Sequence, residues 1–124
     1  MKSVEDLEVF QLAHTLTLKV YEVTATFPRE EMFGLVSQTR RAASSIGMNL
    51  AEGAMRLSRR EYRHHVGIAR GSAAEVSYQL LLAKDLQYLR AEQYKELRVA
   101  YERVGQMLTR LGQSLDREPA SRTP

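Results

Sequence analysis

The chain contains no cysteine and no tryptophan, and it has only three prolines in 124 residues. Without cysteine there are no disulfides, no thiolate metal ligands and no cysteine nucleophile, a usage that suits a reducing cytoplasm. The prolines stand at positions 28, 119 and 124, so nothing between them bars long helices. Glycines occur singly, which leaves no glycine-rich loop to cradle a phosphate. No apolar run approaches the roughly 18 residues of a membrane span. The opening "MKSVEDLEVFQLAH" carries acids at Glu5, Asp6 and Glu8 and reads as no signal peptide. These absences predict a cytoplasmic protein without a membrane segment.

What is present is helical periodicity in four segments. The first runs from about Val4 to Phe27, with Val9, Ala13, Leu16, Val20, Val23 and Phe27 stepping by three and four. Ser3 and Asp6 form a candidate cap, and Pro28 ends the segment. The second runs from about Glu30 to Gly53, with the small stripe Leu35, Thr39, Ala42, Ile46 and Leu50. The third opens on Ser58 with Glu61 three residues on, a capping-box pattern, and runs to about Leu89. The fourth, Ala91 to Leu115, repeats Tyr94, Leu97, Tyr101, Val104, Leu108, Leu111 and Leu115 without a miss. No strand pattern, internal repeat or low-complexity tract is visible.

Four helices with short connectors predict an all-α, antiparallel up-down-up-down four-helix bundle. One domain over residues 1–116 is expected, with a disordered polar tail at 117–124. The apolar stripes of the first and third segments are wider than one bundle must hide, which predicts a homo-oligomer.

Charge is unevenly placed. Residues 1–39 carry three Lys/Arg against six Asp/Glu, residues 40–70 seven against two, and residues 71–124 eight against seven. The middle third therefore holds the basic excess, all of it arginine: Arg40, Arg41, Arg56, Arg59, Arg60, Arg63 and Arg70. Arginine forks suit phosphate and carboxylate equally, and composition does not separate those uses. At about 100° per residue, Arg59, Arg63 and Arg70 share one line, which Lys84 continues. Beyond Tyr62 there is no interleaved aromatic, so contact with a phosphate backbone is expected rather than base stacking.

Other constellations are weaker. Glu61 and His64 have the spacing of a di-iron helix motif, but the chain offers no second copy, since the third histidine is His14. Consecutive histidines point about 100° apart on a helix, so His64 and His65 do not chelate one ion. A capping Glu61 and exposed or interfacial histidines are expected instead, with no metal and no other cofactor. No serine sits in a nucleophile elbow. Asn49 and Glu52 share a helix face at the edge of the apolar stripe; bonding to the opening of the third helix or to a neighbouring subunit is expected.

Three stretches carry a family resemblance: "DLEVFQ" at 6–11, "FPREEMFGLVSQTRRAASSIGMNLAEGAMR" at 27–56 and "ARGSAAEVSYQLLLAKDLQY" at 69–88. Together they resemble the four-helix bundle proteins encoded in intervening sequences of bacterial large-subunit ribosomal RNA genes. That family includes the accessory variability protein of diversity-generating retroelements. The match spans roughly residues 4–89, with the fourth helix similar in pattern only. Phe10 stands where the family has Trp, Gly47 and Met48 precede Asn49, and Leu50 replaces Ile. The resemblance implies a homopentameric ring around a central passage, no enzymatic activity, and nucleic-acid contact through basic surface. In the retroelement branch it implies a reverse-transcriptase partner. The expected function is thus a non-enzymatic, nucleic-acid-binding homopentamer using the seven arginines above. A protein-binding adaptor or scaffold is the alternative, and a small helical enzyme a distant third.

Overall fold

The computed structural model describes residues 3–117. It is all-helical, with four long helices and no strand among the described residues: α1 Glu8–Thr24, α2 Ser37–Ala54, α3 Arg59–Asp85 and α4 Ala91–Asp116. Each helix packs on the next in the chain, and α1 also packs on α4. The cycle encloses one apolar core. Val9, Ala13, Leu16, Val20 and Val23 of α1 are buried, and so are Ala42, Ile46 and Leu50 of α2. From α3 come Ala69, Ala73, Val76, Leu80 and Ala83, and from α4 Leu97, Tyr101, Val104 and Leu108. These are the predicted stripes; each fully buried Leu or Val contributes about 1.5–3 kcal/mol. Tyr94, Leu111 and Leu115 close the ends half-buried. Among the described residues no helix is long and apolar enough to cross a membrane. Of the tail expected at 117–124, Arg117 is extended, and the remainder lies outside the described residues.

Besides the end of α1 at Thr24, short of Phe27, three boundaries differ from the sequence pattern. The chain opens with a separate 3-10 turn, Val4–Asp6, and Leu7 is extended before α1 begins. The Ser3 cap is present on that turn: Ser3 Oγ accepts from the Glu5 N–H at 3.1 Å, and the Asp6 carboxylate accepts from the Ser3 N–H at 3.3 Å.

The second departure precedes α2. In place of a helix continuous from Glu30, a 3-10 turn, Arg29–Glu31, leads into a wide π turn, Met32–Val36. The backbone leaves helical geometry at Gly34 (φ −110°, ψ −108°). The cause lies in a distant part of the chain. The Glu31 carboxylate accepts from the Leu35 N–H at 3.3 Å and from the Tyr88 hydroxyl at 3.0 Å. That carboxylate also raises the Tyr88 phenol above its ordinary pKa. The Tyr88 ring lies 5.6 Å from the ring of buried Phe27, so the α1–α2 connection is pinned to the α3–α4 connection.

The third is the end of α3, at Asp85 rather than Leu89. Gln87 takes φ +67°, its N–H donates to the Lys84 carbonyl, and the Tyr88 N–H donates to the Ala83 carbonyl, both at 2.9 Å. This is a Schellman turn, normally built on glycine. A glutamine there bears the steric cost of the left-handed region, about 1 kcal/mol. Gln87→Gly is therefore expected to raise stability by about 0.5–1 kcal/mol in urea denaturation. A loss of stability would show that the turn is held another way.

Candidate nucleic-acid interface

The basic segment hangs on the contact between α2 and α3. Gly53 is buried at the end of α2. A Cβ there would lie 2.8 Å from the His65 Cβ and 3.0 Å from Tyr62 Cδ1. Only glycine lets the two helices approach this closely.

Beside Gly53 runs a ladder of polar side chains. The Asn49 amide N–H donates to the Ser45 carbonyl at 2.9 Å and to Ser45 Oγ at 3.0 Å. Its oxygen faces His65 Nδ1 at 3.0 Å, so that ring nitrogen is the donor. His65 Nε2 faces the Glu52 carboxylate at 3.6 Å. The Ser72 hydroxyl donates to Ser45 Oγ at 2.9 Å. Asn49 and Glu52 therefore meet the opening of the third helix, as expected. His65 departs from expectation: it is buried, because the close approach at Gly53 draws its ring under α2.

The turn between α2 and α3 is thrown outward. Met55 is 81% exposed and Leu57 100% exposed. Ser58 Oγ accepts from the Glu61 N–H at 3.1 Å and donates to the Glu61 carboxylate at 3.2 Å, which starts α3 where the pattern placed it.

The seven arginines do not share one surface. Arg40 reaches back to the end of α1, where Nε donates to Thr24 Oγ1 at 2.9 Å and a terminal nitrogen to the Tyr21 carbonyl at 3.2 Å. Its guanidinium also lies 4.6 Å from the Tyr21 ring centroid. Arg59 donates to the Ser114 carbonyl at 2.6 Å and the Arg117 carbonyl at 2.8 Å, closing the end of α4. Arg59 thus satisfies a carbonyl in the last turn of α4, where the helix has run out of its own donors, whereas the Tyr21 carbonyl that Arg40 meets also accepts from the Ala25 N–H. Arg56 pairs with Glu52 at 2.5 Å, and Arg63 pairs with Asp116. Arg41, Arg60 and Arg70 are exposed, and their guanidinium groups have no hydrogen bond or ion pair to the described residues.

The line through Arg59, Arg63, Arg70 and Lys84 does exist. It runs along α3 on the side of α4: Arg70 lines a groove of about 390 Å³ between these helices, and Lys84 lies 4.9 Å from the Tyr94 ring centroid. Sequence reasoning missed the acids that α4 brings to it, because Asp116 lies 53 residues from Arg63 in the chain. At the α2–α3 turn, Arg56, Arg59, Arg60 and Arg63 stand against Glu52, Glu61 and Asp116. The pairs are exposed on both sides, a class worth about 0–1 kcal/mol, so a phosphate can replace the carboxylate at little cost. Among the described residues no three His, Asp or Glu side chains gather as metal ligands do.

The Gly53 contact is directly testable. Gly53→Ala adds helix propensity worth about 1 kcal/mol but forces its methyl against the His65 Cβ. The expected result is a net loss of about 1–2 kcal/mol in chemical denaturation. A stabilised variant would contradict the close approach.

Three comparisons bear on kinship. The family model described as 23S rRNA-intervening sequence protein matches residues 5–110. No curated protein matches the chain. Among solved structures, the chain is similar to a protein of unknown function from the S23 ribosomal protein family from Bacteroides thetaiotaomicron. That similarity has a TM-score of 0.78 at 23% identity and covers 85% of this chain and 95% of that one. At this identity it speaks for the fold. With residues 5–110 matched by the family model, most of its length, the chain belongs to the 23S rRNA-intervening sequence protein family.

Proposed function

We propose that the protein is a non-enzymatic, antiparallel up-down-up-down four-helix bundle that assembles as a homopentameric ring in the cytoplasm. In this reading it binds the phosphate backbone of RNA or DNA. The observation that carries the reading is the α2–α3 turn. The Arg60 guanidinium has no partner among the described residues, and Arg56 and Arg63 are held outward in exposed pairs that a phosphate can replace. All of them flank a turn whose side chains stand in solvent. A ring would repeat this modest excess of positive charge around one axis and strengthen its field. The family's name ties it to an intervening sequence of 23S rRNA, which agrees with a nucleic-acid partner. Arg41 and Arg70 are secondary contacts, while Arg40 and Arg59 serve the helix ends first.

A second reading, a protein-binding adaptor or scaffold such as a reverse-transcriptase accessory subunit, draws support from the fully exposed Leu57 and from Met55. Apolar side chains at the tip of a charged turn suit a protein partner as well as a polyanion.

Binding to RNA and DNA across a salt series separates the two. Under the first reading the logarithm of affinity falls linearly with the logarithm of salt. The slope is about −0.7 per phosphate contacted on single strands and about −0.9 on duplex. Arg60→Gln is expected to reduce that slope by about one phosphate without changing thermal stability. Undetectable binding at low salt would reject the nucleic-acid reading and leave the adaptor.

A further inference from the structure

One surface gathers arginine and aromatic side chains without acids. Where the end of α1 meets the π turn before α2, a groove of about 350 Å³ is lined by Tyr21, Met32, Phe33, Ser37, Arg40 and Arg41. That size falls within the range of small-ligand sites. Three other grooves each carry a carboxylate as well as a cation on their walls: Glu102 with Arg70, Glu75 with Arg41, and Glu8 with Arg110. This one has two guanidinium groups and no carboxylate. The acids close by in the chain are turned elsewhere. Glu31 bonds Tyr88 and the Leu35 N–H, Glu22 pairs with Lys19, and Glu30 is not on the wall.

The aromatic component is equally unusual. Phe33 is 93% exposed, although phenylalanine is among the side chains most often fully buried. The break at Gly34 follows it directly, so the turn that Glu31 pins to Tyr88 fixes the backbone from which the ring projects. Arg40 is already committed: two hydrogen bonds and the Tyr21 ring hold it as a fixed wall. The Arg41 guanidinium and the Ser37 hydroxyl make no bond to the described residues. Within the basic segment itself Tyr62 is the one aromatic, but folding sets Tyr21 and Phe33 beside Arg40 and Arg41.

An exposed ring next to an uncompensated guanidinium matches a nucleotide, which always presents a planar base together with an anion. An acidic peptide supplies the anion without an obligatory planar group. We propose that this groove takes one nucleotide of a single-stranded RNA or DNA, with the Phe33 ring stacked on the base and the Arg41 guanidinium on the adjoining phosphate. In a duplex the base faces are covered by their neighbours, so the site distinguishes single strands from duplexes. The inference rests on the nucleic-acid reading above and adds a place where a base is held as well as a phosphate.

The chain has no tryptophan, so Phe33→Trp installs a single indole at the site. Titration with single-stranded oligo(dA) at low salt is expected to quench its emission saturably, and a duplex of the same length to quench it several-fold less. Phe33→Ala is expected to weaken oligo(dA) binding by about five-fold or more while duplex affinity stays as in the wild type. Arg41→Gln is expected to reduce the single-strand salt slope by about 0.7. Both side chains stand in solvent, so each variant is expected to keep the wild-type thermal stability. If oligo(dA) binds Phe33→Ala as well as the wild type and leaves the indole emission unchanged, the site is wrong and backbone binding stands. If neither oligo(dA) nor duplex binds at low salt, both readings fall. An indole response to poly-glutamate and none to oligo(dA) would overturn the site and assign the groove to an acidic protein.

Discussion

The structure depends on how closely α2 and α3 approach at Gly53. There the α2 backbone lies against His65 and Tyr62 with no room for a methyl group. That contact draws an imidazole into a protein interior, where its nitrogens must be satisfied. Asn49 on α2 meets the ring, and Ser45 on α2 with Ser72 on α3 extends the polar ladder that makes the burial tolerable. A hydrogen-bonded ladder is directional where apolar contact is not, so it fixes the register of the two helices as well as their distance. With the register fixed, the turn between them has one way out, and it carries Met55, Arg56 and Leu57 into solvent.

The same constraint changes the meaning of the basic segment. Counted along the chain, residues 40–70 hold seven arginines and two acids. In space, two of those arginines are held at helix ends: Arg40 at the end of α1 and Arg59 at the end of α4. Two more meet carboxylates, one of them from the far end of the chain. Arginine suits this double use because a planar fork satisfies two carbonyls or one carboxylate while its charge stays near the surface. The surface left for a partner is smaller than the sequence count implies, and it is divided between the α2–α3 turn and the flanks of α3.

Legibility in the sequence followed the range of the interactions. The four stripes and the Ser58–Glu61 cap are set within one or two helical turns and were readable, whereas Gly53, expected to stop α2, lies inside it and serves the close approach of α3 instead. The end of α3 was not, because its left-handed residue is Gln87, and no glycine marks the turn. The break at Gly34 was hidden because its cause is Glu31 meeting Tyr88, 57 residues away. Asn49 and Glu52 were recognisable as a polar pair on an apolar edge. Their partner His65 reads from sequence as exposed or interfacial, since nothing local distinguishes it from exposed His64.

The account is most exposed at the Asn49–His65 hydrogen bond, which a double-mutant cycle isolates. Stability would be measured for Asn49→Ala, His65→Ala and the double variant in one denaturation series. If the ladder joins α2 to α3 as described, the two residues are coupled by about 1 kcal/mol or more, and the double variant loses less than the sum of the single losses. Strict additivity would mean that the two side chains act independently, and the register of the whole α2–α3 pair would need another explanation.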